Sequence, residues 1–277
     1  MDIKNISEDL ILSDSGIWEA PKSDVISYTE NGHELIKDCE EGSFWFKHRQ
    51  DSISFLTAHY EISSLLDVGG GNGRLSSHLQ KRGIECTLLE PGKQAIINAQ
   101  SSGLQCLICS SLNEAKFKDN SWEAVGIFDV LEHIESDEAF LQEIHRILKP
   151  GGRLFLTVPA YQSLFSDFDR EVGHFRRYTL ADLRNKLNAI GFNINYKTYL
   201  FSVLPVPIVI LRLLFKKRQA DKQIKRNKEH FKDRAFIHRV MSFILSPEKW
   251  LVKWRWLIPF GSSCLVVAQK KTENIDE

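Results

Sequence analysis

The run Leu65-Leu66-Asp67-Val68 breaks into Gly69-Gly70-Gly71-Asn72-Gly73-Arg74. A short apolar strand that ends in glycines lets a ligand approach the main chain closely, because glycine has no Cβ and turns sharply. The helix expected next adds unpaired N–H groups and the positive end of its dipole. The spacing is GxGxG at Gly69, Gly71 and Gly73, and Arg74 stands where a dinucleotide loop has its last glycine. Asp67 sits just ahead of the loop, and its carboxylate suits a cationic or amino-bearing ligand better than a pyrophosphate. No Gly-Lys-Ser/Thr follows, which excludes a phosphate P-loop. The next apolar run ends Leu88-Leu89-Glu90, and a carboxylate at that point can accept hydrogen bonds from a ribose diol.

The surrounding pattern supplies the elements that would hold these groups. Apolar runs at 64–68, 85–89, 104–109, 123–129, 153–158, 193–201 and 262–270 read as strands. Helical spacing falls between them, at 44–60, 74–82 (closed by Gly83), 93–100 and 137–148. Pro150-Gly151-Gly152 reads as the turn into the fifth strand. A further helix opens on Thr179 as N-cap, carries Leu180, Leu183, Leu187 and Ile190, and ends at Gly191. This alternation predicts an α/β, Rossmann-like, doubly wound and mostly parallel sheet with helices on both faces. Ligands of such sheets bind at the carboxyl ends of the strands, so the loops after Val68, Leu89, Cys109, Asp129 and Val158 should carry the chemistry.

Asp67-x-Gly69-x-Gly71-x-Gly73, Glu90, the run Phe128-Asp129-Val130-Leu131-Glu132-His133-Ile134 and the turn Leu148-Lys149-Pro150-Gly151-Gly152 together resemble the class I S-adenosylmethionine-dependent methyltransferases. The branch related to the ubiquinone-pathway O-methyltransferases is the nearest in pattern. The resemblance covers about 41–203 and resumes at 262–270, and it implies a seven-stranded sheet whose last strand is antiparallel. It implies S-adenosyl-L-methionine as cofactor. Asp67, Gly69, Gly71 and Gly73 would line its methionine part, and Glu90 would hold its ribose. Ser111 and Leu112 would flank the adenine, and Phe128 and Asp129 would close the site. In Glu41-Gly42-Ser43-Phe44-Trp45-Phe46-Lys47-His48-Arg49, which resembles an aromatic-rich helix of the same branch, Arg49 would reach the cofactor carboxylate. The bland alternative for those aromatics is core packing.

Methyl transfer needs a base when the acceptor is a weakly acidic hydroxyl or carbon. His133 and His174 are the candidates, because imidazole titrates near neutrality. The segment Asp167–Tyr178 resembles a GHxRRY element of the branch. There Arg177 (or Arg176) would clamp an acceptor carboxylate or phosphate, and Tyr178 would turn its ring to the sulfonium. An ion-paired covering loop is the alternative. Glu132 and His133 could help hold a divalent ion, but no complete ligand set is legible, so no metal is expected.

Composition narrows the remaining classes. The chain has 277 residues, 43% hydrophobic and 26% charged, which is ordinary for a soluble globular protein. Its 36 Lys/Arg balance 36 Asp/Glu, which argues against a whole-molecule nucleic-acid binder. The balance hides an asymmetry: Arg212–Arg255 holds 14 Lys/Arg and 4 Asp/Glu, while the remainder holds 22 and 32. The apolar run 199–215, broken by Pro205 and Pro207, is too short and interrupted to span a bilayer. Trp250, Trp254 and Trp256 alternate with Lys249, Lys253 and Arg255, as in segments that lie in a membrane interface. Without a recognised nucleic-acid motif, the basic stretch favours an anionic membrane surface or a solvated cap over nucleic acid.

The expected organisation is an N-terminal arm (1–43), a cofactor-binding core (44–203), a basic helical insertion (204–261) and a final strand with tail (262–277). The first residues lack a basic, apolar leader pattern. The five scattered cysteines read as buried reduced thiols, so a cytoplasmic protein, peripheral at the membrane, is expected. Its partner would be a small-molecule or lipid-linked acceptor, with oligomeric state left open. Two other classes stay open: a nucleotide- or nicotinamide-dependent oxidoreductase on a similar sheet, and a membrane-associated binding protein with an inactive site. GxGxG after Asp67 counts against the first, and the intact Asp67, glycines and Glu90 against the second.

Overall fold

The computed structural model describes residues 3–21, 43–204 and 234–272, and the side chains of 234–237 lie outside that description. Nine strands form one sheet: β1 (Ile11–Leu12), β2 (Trp18–Glu19), β3 (Ser64–Val68), β4 (Glu85–Leu89), β5 (Cys106–Cys109), β6 (Trp122–Phe128), β7 (Leu148–Pro159), β8 (Phe192–Leu200) and β9 (Ser263–Lys270). Their order is β1-β2-β5-β4-β3-β6-β7-β9-β8. The run β5-β4-β3-β6-β7 is parallel throughout, and β9 lies antiparallel between β7 and β8. Strand order reverses beside β3, which carries Asp67 and feeds the glycine loop.

Seven strands were expected, and nine are present among the described residues. The two extra are the short antiparallel pair β1 and β2, in which Trp18 pairs with Ile108 and Glu19 with Cys109. They cover the edge of β5, whose N–H and C=O groups would otherwise stand unpaired. The expected arm therefore contributes a short helix α1 (Ile3–Ile6) and this pair, and its residues 22–42 lie outside the described set. Strands of two residues have no readable alternation, which is why they escaped the pattern. The Pro150-Gly151-Gly152 turn is present inside β7: Leu148 pairs with Trp122 and Arg153 with Ala124, so the chain between them bulges out of the ladder, with Gly151 at φ +76.

Consecutive residues of the central strands feed opposite faces. Leu66, Val125, Leu154 and Leu156 pack under α5 (Asp137–Ile147) and, after the short α6 (Asp167–Glu171), α7 (Leu180–Ile190), through Leu141, Ile144, Leu183 and Leu187. Leu65, Ala124 and Phe155 face α2 (Phe44–His59) and α3 (Arg74–Gln80) through Ile53, Leu56, Leu75 and Leu79. A third, smaller cluster seats α4 (Lys93–Ser101) beside β4 through Leu88, Ile96 and Ala99. α7 starts at a capping box, with Thr179 accepting from the Asp182 N–H, and stops at Gly191 in the left-handed region.

The insertion contributes α8 (Arg234–Ile244) and α9 (Ser246–Lys253), which pack on α2. The spacing of Ile237, Val240, Met241 and Ile244 suggests an apolar face on α8, but Val240 and Ile244 are exposed, whereas Leu245 and Val252 are buried. The junction is polar: buried Glu248 meets the His48 ring nitrogen at 2.7 Å and accepts from the Phe201 and Ser202 N–H groups. Burial alone would raise the Glu248 pKa, but these bonds outweigh it and hold it low. Trp45 stacks on Phe201 at 3.6 Å beside this contact. Among the described residues no helix is long and apolar enough to cross a membrane. Cys86, Cys106, Cys109 and Cys264 are free thiols, and Cys39 lies outside the described residues.

Candidate active site

The carboxyl ends of β3, β4, β5 and β6 open into one cavity of ≈ 390 Å³, with α2 as its outer wall. The loop after β3 is shaped by what its glycines exclude. A Cβ on Gly70 would sit 2.5 Å from the Asp67 carboxylate, and one on Gly73 would sit 2.4 Å from Leu104. Gly73 also holds φ +70 as it starts α3, a conformation that glycine adopts without strain.

Two carboxylates face the cavity from neighbouring strands. Asp67 is buried, and Oδ2 accepts from Ser76 Oγ at 2.6 Å while Oδ1 has no hydrogen-bond partner. Burial raises its pKa to about 6, against the Ser76 bond and the Arg49 charge, which pull it down. Glu90 accepts from the Gly71 N–H at 3.0 Å and the Gly92 N–H at 2.9 Å. Burial raises its pKa too, partly offset by those two bonds. An orphaned oxygen on Asp67 and a glycine loop tied to Glu90 are what an amine and a diol would need on their two sides.

The third and fourth strand ends complete the wall. Ser111 is fixed by Glu114, to which its hydroxyl donates at 2.7 Å, and Leu112 lies buried beside it. Phe128 and Asp129 line the cavity as expected. Asp129 holds φ 57, kept there by its N–H to Thr157 O at 2.9 Å, and its carboxylate pairs with Arg49. Arg49 does face the cavity, with its guanidinium 5.1 Å from the centre of the Phe46 ring. Phe46 is therefore a wall residue. Gln50, Asn72, Ser110, Val130, Ile134 and Phe140 also line the cavity without having been singled out. Three of them had a sequence signal, Asn72 inside the glycine loop and Val130 and Ile134 inside the run 128–134.

The four proposed catalytic residues separate. His133 lines the cavity. His174 stands behind it with the two rings 4.6 Å apart, and donates through Nδ1 to Asp169 Oδ1 at 2.9 Å. Burial and the facing His174 push the His133 pKa down to about 4, so its ring is neutral at neutral pH. Arg177 is not offered to a ligand: its guanidinium donates to both Asp169 oxygens, at 2.8 and 3.0 Å. Buried Asp169 needs that fork, and the bonds from Ser166, His174 and Arg177 outweigh burial and keep its pKa low. Tyr178 is buried, and its hydroxyl donates to Asp137 at 2.9 Å, so its ring does not line the cavity. The ion-paired covering loop is the better description of 167–178.

Glu132 is buried with both carboxylate oxygens lacking hydrogen bonds, and burial and then Asp129 raise its pKa well above the usual carboxylate range. Donor atoms of Glu132, His133 and His174 all lie within 4.8 Å of one another, a set able to hold a metal ion. His174 joins the other two only through the fold, so the set was not legible in the sequence.

With this geometry in hand, the comparisons with known proteins are consistent among themselves. A family model described as "Methyltransferase domain" matches residues 31–197, and the chain belongs to that family. The ubiquinone biosynthesis O-methyltransferase of Xanthomonas oryzae pv. oryzae is 28% identical over 113 residues, which cover 38% of this chain and 47% of the relative. The mitochondrial enzyme of the same name from Rattus norvegicus is 31% identical over 102 residues, 34% of this chain and 30% of that one. The chain thus matches less than half the length of these curated relatives. Among solved structures, a putative methyltransferase in complex with the Haloferax volcanii Trm112 activator has TM-score 0.58 at 16% identity, covering 89% of this chain and all of that one. A Haemonchus contortus phosphoethanolamine N-methyltransferase 2 in complex with S-adenosyl-L-methionine has TM-score 0.57 at 16% identity, over 90% of this chain and 59% of that one. Both share its fold.

Proposed function

We propose that this chain transfers a methyl group from S-adenosyl-L-methionine to a hydroxyl of a small or lipid-linked acceptor. The observation that carries the reading is the pairing of Asp67, with its orphaned Oδ1, and Glu90 on two adjacent strand ends of one cavity. That set fits a ligand with an amine at one end and a ribose at the other. Asp67 would hold the amine, Glu90 the ribose hydroxyls, and Ser111 and Leu112 the base. Arg49 is placed for the ligand's carboxylate, which would share it with Asp129. A nicotinamide dinucleotide fits less well, since the buried acid at Asp67 would face its phosphates.

The cofactor supplies, when bound, an activated methyl on a sulfonium, ready for in-line displacement. The chain's own part is position, exclusion of water and proton removal. Alignment of two reactants can contribute roughly 7–11 kcal/mol. His133, a cavity-lining histidine with a neutral ring, is the group placed to take the proton of an acceptor hydroxyl. The curated relatives carry O-methyltransferase in their names, which supports a hydroxyl acceptor.

The direct test is transfer of labelled methyl from S-adenosyl-L-methionine to a cell extract, followed by partition into organic solvent. Label in the organic phase is expected. A protein that binds the cofactor product yet labels nothing in either phase would overturn the transferase reading. A second expectation follows from Asp67, whose pKa in the free protein is about 6. An amine needs the ionised carboxylate, and a raised pKa means that this form is lost as pH falls through about 6. Affinity for S-adenosylhomocysteine should therefore be flat above that pH and fall towards tenfold per unit below it. Asp67→Asn should bind weakly with this step removed, and an unchanged step in that variant would refute the assignment.

A further inference from the structure

The chain between α8 and β9 turns an aromatic, basic side away from the protein. In α9, Glu248 and Val252 are four residues apart and buried, so they mark its inner face. Trp250 and Trp254 are also four residues apart, hence neighbours along the helix, and are 60% and 69% exposed. Phe243, Trp256, Leu257 and Phe260 are exposed as well, between 50% and 80%. Ile244 and Leu251 are exposed too, and while single exposed apolar residues are ordinary, eight large ones within 243–260 are not.

This exposure is built into the chain path. The Trp256 N–H donates to Leu251 O at 2.8 Å, and the Tyr196 hydroxyl donates to Trp256 O at 3.0 Å. Ile258, two residues on, is buried, with its N–H donating to Thr198 Oγ1 at 2.8 Å. The backbone is thus pinned to β8 while the indole rings stay outside. Among them Arg239, Lys253 and Arg255 carry exposed positive charge, Lys249 is paired with Asp51, and the one acid of 238–260, Glu248, is buried against His48. The Lys253 ammonium lies 5.2 Å from the centre of the Trp250 ring. Exposed indoles interleaved with basic groups suit the headgroup layer of a membrane, and the single sign of the charge suits anionic lipid.

We propose that the segment 243–260 docks this protein on an anionic bilayer. The same helices are joined to the cavity wall: His238 Nδ1 accepts from the Phe44 N–H, and Lys249 pairs with Asp51, both partners lying on α2. α2 also carries Phe46, Arg49 and Gln50 of the cavity. Docking would therefore set the mouth of the site next to the lipid surface. That this serves to admit a lipid-linked acceptor rests on the methyltransferase reading, whereas docking itself does not.

The test is co-sedimentation of the full chain with vesicles, either pure phosphatidylcholine or equal parts phosphatidylcholine and phosphatidylglycerol, at low salt. The wild type is expected in the pellet with the anionic vesicles only, and released by salt near 1 M, where charges are screened within about 3 Å. The triple variant Trp250→Ser/Trp254→Ser/Trp256→Ser should bind at least about tenfold more weakly, because the buried apolar area is gone. Calorimetric titration with S-adenosylhomocysteine, run on both proteins, reads the fold and the cofactor site separately. Absence of wild-type binding to anionic vesicles, or undiminished binding by the triple variant, would overturn the proposal. So would a concentration-dependent dimer that the triple variant abolishes without vesicles, which would make a second copy the occupant. Vesicle binding by a wild type that ignores S-adenosylhomocysteine would uphold docking and remove the methyltransferase reading.

Discussion

Replacing Glu90 by alanine is expected to weaken S-adenosylhomocysteine by about a hundredfold, read by calorimetric titration at neutral pH. A hydrogen bond to a charged group contributes roughly 1.5–3 kcal/mol, and a ribose presents two hydroxyls to one carboxylate. The sum would exceed a hundredfold if Glu90 did nothing else. It also accepts from the Gly71 and Gly92 N–H groups, so part of its capacity is already used in shaping the glycine loop. The Glu90→Gln variant separates the two roles. It keeps an acceptor for the loop but lacks the charge, and it should fall between wild type and alanine. A change of less than threefold in Glu90→Ala, in a folded protein, would mean that the ligand does not lie along β4.

The second large effect is on turnover. His133→Ala should lower kcat by roughly 10², the low end of the range for loss of a positioned general base, because a ring with a pKa of about 4 is a weak base. Affinity for S-adenosylhomocysteine should stay within a few-fold, because the proton leaves from the acceptor side. The His174→Ala variant should lose less, since His174 stands behind His133 and reaches the cavity only through it. Arg177→Lys offers a contrast. The guanidinium is committed to Asp169, so its replacement should cost stability, seen in thermal unfolding, before it costs chemistry at assay temperature. Full activity in His133→Ala would transfer the base role elsewhere or make it unnecessary.

These assignments show what local sequence can and cannot carry. Asp67, the glycines and Glu90 were legible because strand end, turn and following helix are contiguous, and each residue's role follows from its place at one strand end. Ser111, Leu112, Phe128 and Asp129 came from the family resemblance, which put them at the ends of the next strands, and they line the cavity. Arg177 and Tyr178 were misjudged for the opposite reason. Their type and spacing suit a ligand clamp, but buried Asp169 and Asp137 need partners, and which cation or hydroxyl meets them is decided by tertiary contact. The meeting of Glu132, His133 and His174 was hidden in the same way. The β1–β2 pair lay below the length at which alternation can be read. The Pro150-Gly151-Gly152 turn was legible from its residue types, since Gly151 takes φ +76, but not that Leu148 ahead of it already pairs with β6. His48, read only as part of an aromatic helix, turned out to be the partner of an acid two hundred positions away.

The central claim is that one cavity binds S-adenosylmethionine through Asp67 and Glu90. The most direct measurement is calorimetric titration of the wild-type protein with S-adenosylhomocysteine, beside a parallel titration with a nicotinamide dinucleotide. One-to-one binding in the micromolar range is expected for the first and none for the second. A folded protein that binds the dinucleotide and not S-adenosylhomocysteine would contradict it.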